Sequence, residues 1–262
     1  MPNQNLFGDS SIAAGYANAR PPVHPEVMAK VRQRLDQPAV PVALDIGCGS
    51  GLSTRALSGL ATQAIGLEPA ESMLRYAPQI APGSAFTVGL AEALPFADRS
   101  IDLMAAAGSL NYCSDLSNFW QEAGRVLRGD GKGRLVVYDF SPGRKLRRAN
   151  DPALEEWFGK FMQRYPRAKD NARSLDPATL GESARGTLTL EWSESFQIPL
   201  RLDYSFYVNY MMTETNVAYA VRTGAESEPE IRKWCEDSLA PIFASESRPE
   251  ILFEGYVALF HS

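Results

Sequence analysis

The chain has little of what metal centres and cross-linked folds are made from. Its three cysteines, Cys48, Cys113 and Cys235, lie far apart, form no C-x-x-C pair and are odd in number. That argues against a disulfide framework and a zinc site, and no metal is expected. Reduced thiols in a cytoplasmic protein are the simpler reading. There are only two histidines, which leaves few imidazole bases to choose from. No apolar run approaches the ~20 residues of a transmembrane helix, so no membrane partner is expected. The opening Met-Pro-Asn-Gln-Asn has neither a basic nor an apolar stretch, so no signal peptide is expected. Positive charge is not in excess. Against 31 acidic residues stand 26 basic ones, a net charge of -5, which argues against a nucleic-acid-binding surface. Neither internal repeats nor low-complexity segments occur. What remains is ordinary soluble composition, 45% hydrophobic and 22% charged, in 262 residues, enough for one large α/β domain or a core plus a cap.

One stretch organises the rest: Val42-Ala-Leu-Asp45-Ile-Gly47-Cys48-Gly49-Ser50-Gly51. Its first half is short, bulky and apolar, and reads as a buried strand ending at glycine. Its second half places glycine where the backbone must turn sharply and where a ligand could approach without meeting a Cβ. Leu52-Ser-Thr-Arg-Ala-Leu then starts a helix, with Leu52, Ala56 and Leu57 as its apolar positions. Strand, glycine loop and helix form the usual nucleotide site of an open α/β sheet. The spacing is G-x-G-x-G, whereas the dinucleotide fingerprint is G-x-G-x-x-G. Asp45, two residues before the first glycine, suits an ammonium or other cationic centre better than a pyrophosphate.

The run D-I-G-C-G-S-G is similar to motif I of the class I S-adenosylmethionine (SAM)-dependent methyltransferases, and the layout resembles the type 11, small-molecule, branch. The resemblance implies a Rossmann-like sheet of seven strands, the last antiparallel, with helices on both faces and a helical cap insertion. It implies SAM as cofactor, S-adenosylhomocysteine as product, and contacts from Asp45, Gly47, Cys48, Gly49 and Gly51. Glu68, at the end of the strand Gln63 to Glu68, lies 21 residues past Gly47 and is the acceptor expected for both ribose hydroxyls. Pro69 follows it, and Met73 is similar to the apolar side chain that lies against adenine. After a third strand at Phe86, Ala91 and Glu92 are expected at the adenine edge. A fourth strand, from Ser100, reaches Ala107 at the ligand crevice and continues into Asn111-Tyr112. Asp102 at its start is read as structural.

The segment before the first strand also resembles the family. Tyr16 and Arg20 are expected to close over the methionine end of SAM, with the arginine fork on its carboxylate. His24, between prolines, reads either as a general base or as a turn residue at the lid hinge. Tyr112 either serves the substrate, by orienting or deprotonating it, or lines the pocket. Tyr16, His24 and Tyr112 are the catalytic candidates.

Val27, Val31 and Leu35 recur at helical spacing. Further along, Leu116 to Leu127 reads as a helix capped by Asp115 or Ser117, and Arg134 to Phe140 as strand five. The expected organisation is a single domain over 1–262, with a lid and helix in 1–40 and a substrate cap in 141–186 and parts of 197–245. The aromatic stripe Trp157, Phe158, Phe161, Met162, Tyr165 belongs to that cap. Its basic cluster, Arg144 to Arg148, is either a solvated face or an attractor of anions. Thr187 to Phe196 reads as strand six, Tyr204 to Thr213 as an aromatic stretch that is either a helix with its rings in the substrate pocket or core, and Ile251 to Phe260 as the closing strand. The expected function is methyl transfer to a small-molecule carboxylate, hydroxyl or activated carbon. The alternatives are a non-catalytic SAM-binding scaffold and, behind it, an NAD(P)-linked oxidoreductase. Oligomeric state is not readable.

Overall fold

A computed structural model of the chain describes residues 19–129, 131–148, 151–167 and 172–262. They pack as two compact units. One holds Val23–Phe140, Asn171–Phe196 and Gly255–Ser262; the other draws on Ser141–Asp170, Gln197–Glu254 and the residues up to Pro22.

The first is the sheet unit. Its strands are β1 (Val40–Ile46), β2 (Ala61–Glu68), β3 (Ala85–Val88), β4 (Leu103–Ala107) and β5 (Arg134–Phe140), all parallel, in the order β3-β2-β1-β4-β5. The order reverses between β1 and β4, so the carboxyl ends of those two strands flank the place where such sheets bind ligands. β8 (Glu250–His261) adds to β5 antiparallel, with Gly255 opposite Phe140 and His261 opposite Arg134. Two strands more than the regular alternation appear beside it. The two-residue β6 (Lys145–Leu146) pairs with Leu252 and Ile251, and β7 (Thr189–Arg201) also pairs with β8. The sheet therefore has eight strands where seven were expected, because so short a pairing as β6 has no periodicity to read.

Helix α1 (Val23–Arg32) buries Val23, Val27, Met28 and Val31. Leu35, expected on the same stripe, lies past its end, where Arg34 and Leu35 close turns onto Val31 and Arg32. α2 (Leu52–Leu57) follows the glycine loop, and the short α3 (Glu71–Leu74) and α4 (Ala77–Ile80) follow β2. α5 (Leu116–Val126) is capped by Asp115, whose carboxylate accepts from the backbone of Ser117 and Asn118. Its face of Phe119, Trp120, Ala123 and Val126 joins Leu44, Ile46, Met104, Leu135, Val137 and Phe260 in one core. α7 (Pro177–Ser183) belongs to this core through Leu180, and Ser183 Oγ accepts the Trp120 indole N–H at 3.0 Å. Asp102 is structural as expected. It accepts the Val42 amide at 2.9 Å and pairs with Arg128 at 2.8 Å.

The second unit contains α6 (Ala153–Arg164), α8 (Tyr204–Met212), α9 (Thr215–Arg222) and α10 (Glu228–Phe243). Trp157 stacks on Phe161 and Trp234, and meets Tyr207 edge-on at 6.0 Å. Tyr207, Tyr210 and Met211 are buried. The aromatic stripe is therefore the core of this unit. Among the described residues no helix is long and apolar enough to cross a membrane.

Candidate cofactor and active site

The site begins where β1 ends. Gly47, Gly49 and Gly51 all have positive φ, a region that side chains with a Cβ enter only under strain. Gly47 has a second constraint: a Cβ there would lie 2.4 Å from that of Ser109, whose hydroxyl donates to the Ile46 carbonyl at 2.6 Å. Four of the five loop amides are already used. Gly47 and Cys48 donate to the Leu67 carbonyl, Gly51 to that of Cys48, and Gly49 to the Glu68 carboxylate at 3.0 Å.

Asp45 lies under this loop, 0% exposed. Its Oδ2 accepts both the Ser53 and the Thr54 hydroxyl at 2.6 Å, and its Oδ1 has no partner among the described residues. Burial pushes its carboxyl up to about 7 against those two bonds, with a smaller upward push from the Glu68 charge. Ser53 and Thr54 correct the helix reading. The buried face of α2 is Ser53, Thr54 and Leu57, while Leu52 and Ala56 are only partly covered. The two hydroxyls tolerate burial because Asp45 satisfies them.

Glu68 is buried and also accepts the Ala70 amide, at 2.9 Å through Oε1. Burial raises its carboxyl, and the two amide bonds counter part of that. Met73 is buried with its Cε 3.3 Å from where a Gly49 Cβ would stand, so the loop and Met73 face each other. Pro69 is exposed. Cys48 packs its sulfur on Gly66, where a Cβ would come within 2.7 Å, and burial first, then the Asp45 and Glu68 charges, raise its thiol well out of the reactive range. Ala91 packs partly buried against the core. Glu92 Oε1 accepts the Ser114 amide at 2.7 Å and hydroxyl at 2.8 Å. Burial works upward on its carboxyl, but these bonds hold it below the usual range.

At the end of β4, Ala107 pairs with Tyr138, and Gly108 turns with positive φ against Asp139. Asn111 donates to Asp139 at 2.7 Å. Tyr112 is half exposed. His24 is the second residue of α1 and not a turn residue; its Nδ1 lies 2.8 Å from the hydroxyl of the buried Tyr138, and its ring meets Phe140 edge-on. Burial, with the Asp45 charge nearby, keeps the Tyr138 phenol well above its ordinary value, so it stays protonated. Sequence reasoning missed Tyr138, Asp139 and Ser109, because their roles come from strand register. Arg20 is in the other unit, where Glu214 pairs with it at 3.1 Å, Thr213 accepts from it, and the Tyr210 ring lies beneath. Tyr16 lies outside the described residues.

Residues 44–135 match the family described as "Methyltransferase domain". The chain is 30% identical over 158 residues to an uncharacterized methyltransferase, YcgJ, of Bacillus subtilis, a match covering 58% of this chain and 54% of that protein. It is 33% identical over 149 residues to the malonyl-[acyl-carrier protein] O-methyltransferase of Methylococcus capsulatus, covering 55% of this chain and 54% of that one. These matches span about half the length of the curated relatives. In fold, a candidate type II methyltransferase of Anaeromyxobacter dehalogenans superposes with a TM-score of 0.67 at 19% identity, over 90% of this chain and 94% of that one. Strand order, glycine loop and these likenesses agree: residues 44–135 are similar to methyltransferase domains, and the chain shares its fold with the Anaeromyxobacter dehalogenans protein.

Proposed function

We propose that the protein transfers a methyl group from SAM to a small-molecule acceptor. The observation that carries this reading is Asp45, a fully buried carboxylate beneath the glycine loop with one oxygen unpartnered among the described residues. A buried, half-satisfied carboxylate is costly unless a cation completes it. SAM and its product carry an ammonium group and no phosphate. The loop amides support the same choice, since those of Gly47, Cys48, Gly49 and Gly51 are spent inside the protein and two carboxylates adjoin them. A pyrophosphate would find repulsion there where it needs donors.

Bound there, SAM would supply a methyl group on a positively charged sulfur, already activated for displacement. The protein's work is then to bind, orient and exclude water. Asp45 would supply charge for the amino acid end, and Arg20 and Tyr16 are the further candidates read from the sequence. Glu68 keeps lone pairs for the ribose hydroxyls beyond its two amide bonds. Met73 would hold the adenine end, with Pro69, Ala91, Glu92 and Ala107 as the further candidates there. Glu92 acts chiefly by fixing the Ser114 turn, because its Oε1 is committed to it. Tyr112 is the candidate for orienting the acceptor. His24, steered by Tyr138, is the candidate proton acceptor when the acceptor is a hydroxyl. A carboxylate acceptor needs neither. Residues 141–186 and parts of 197–245 are the proposed substrate cap.

Calorimetric titration with S-adenosylhomocysteine tests the placement of the site. Wild type is expected to bind, with Asp45→Ala and Glu68→Ala each at least ~10-fold weaker. Unchanged affinity in both variants would put the site elsewhere.

A further inference from the structure

The turn after β3, which carries Ala91 and Glu92, is held from both sides. The Ala93 amide donates to the Leu90 carbonyl at 3.2 Å, closing a β-turn with Ala91 and Glu92 at its tip. Its entry is tied to the end of β2, where Gly89 donates to the Glu68 carbonyl at 3.3 Å. Its exit is tied to α5, because the Leu94 amide donates to Glu122 Oε2 at 2.7 Å. Arg125, one turn further along the same helix, uses all five N–H donors of its guanidinium. Two go to the Glu122 carboxylate, each at 2.7 Å. The others go to the Leu94 carbonyl at 2.9 Å, the Phe96 carbonyl at 2.8 Å and the Asp98 carboxylate at 2.9 Å. α5 is a firm base for this clamp, since its Phe119, Trp120, Ala123 and Val126 are buried in the core. The chain leaves the clamp through Arg99, whose φ of 54° is a left-handed conformation that a residue with a Cβ keeps only when its surroundings impose it. An ion pair with Glu122 alone would need two bonds. The other three reach the loop from Leu94 to Asp98 and fix its course.

We propose that Arg125 and Glu122 are positioning residues for recognition of the base: by fixing the loop that follows, they hold the Ala91–Glu92 turn where it tells adenine from other purines. Neither residue touches the cofactor, and the inference rests on the SAM reading above. Hydrogen bonds weaken steeply as distance and angle drift. A turn left to wander would still accept a purine by its faces, but it would not distinguish an amine from an oxo group on the ring edge. Glu92 is no substitute for the clamp, since its Oε1 holds Ser114 at the other end of the turn. Lysine in place of Arg125 keeps the charge but has three donors and no planar fork, so it cannot make the five bonds together.

The test is calorimetric titration of the wild type, Arg125→Lys and Glu122→Gln with S-adenosylhomocysteine and with S-inosylhomocysteine, in which an oxo group replaces the exocyclic amine and the ring nitrogen beside it carries a hydrogen. The wild type is expected to favour S-adenosylhomocysteine by at least ~10-fold. Arg125→Lys should weaken S-adenosylhomocysteine by at least ~10-fold and the inosyl analogue by less than ~3-fold, so that the preference falls close to parity. Glu122→Gln should lower the preference in the same direction by less, and it decides the matter alone where Arg125→Lys does not fold. A residue that serves stability only would weaken both ligands alike and leave their ratio unchanged. A ratio that stays at the wild-type value in the folded variants, or a wild type that binds both ligands equally, would overturn the proposal and leave the SAM reading standing. A wild type that binds neither ligand would remove both.

Discussion

Asp45 is the residue on which the chemistry of the site turns, and its environment has a consequence that pH can read. Its folded carboxyl sits near 7 instead of 3.8, through burial. In the ligand-free protein it is therefore largely neutral at pH 6 and largely ionised at pH 8. A cationic ligand favours the ionised form, so S-adenosylhomocysteine affinity should rise with pH, roughly 5- to 10-fold from pH 6 to 7.5. Asp45→Asn should bind weakly with no such slope. Stability runs the other way. The folded state holds a proton between pH 4 and 7 that the unfolded state has lost, so the share of stability due to Asp45 declines as pH rises through that window. Melting curves of wild type and Asp45→Asn at pH 5 and 8 should converge at low pH, with the variant the more stable of the two at pH 8. Gly47 is a second residue-scale test. Gly47→Ala combines positive φ with a 2.4 Å clash on Ser109, and should destabilise by about 2–4 kcal/mol in denaturant unfolding. Tyr112, half exposed, should affect turnover more than cofactor affinity in Tyr112→Phe; equal loss of both would make it a cofactor-pocket residue.

Among the elements, β8 depends on a residue with no side chain. A Cβ on Gly255 would lie 2.2 Å from the Asp139 carbonyl and 2.7 Å from the Phe196 ring. Gly255→Val should break the pairing with Phe140 and destabilise by more than ~3 kcal/mol, seen as an early thermal transition. The sequence offered no warning of this, since Ile251 to Phe260 reads as one continuous strand. What it did make legible was the element order from β1 to β5. Bulky apolar runs bounded by glycine alternate there with helices, and period and punctuation agree. Asp115 as a helix cap and Asp102 as a strand anchor were legible for the same local reason. Contacts between distant elements were not. The Tyr138 to His24 bond, the Asn111 to Asp139 bond and the Ser109 stop on Gly47 depend on which strands lie side by side.

At the scale of the whole molecule, the chain divides its labour between a sheet unit that repeats a known plan and an aromatic unit that does not. In the first, the glycine loop, Asp45 and Glu68 were readable as a cluster, because the apolar strands, the glycine punctuation and the acids beside it are local in the sequence. In the second, composition gave an aromatic stripe but not its use. Trp157, Phe161 and Tyr207 fill the core, and the basic run meets its counter-charges in Glu254, Glu250 and Asp151, which lie far from or outside any local pattern that the sequence shows. The most direct test of the central claim is calorimetric titration of the wild-type protein at pH 7.5 with S-adenosylhomocysteine and, separately, with NADH. We expect micromolar binding of the first and none of the second. Binding of NADH, or of neither ligand, would contradict a SAM site built on Asp45 and the glycine loop.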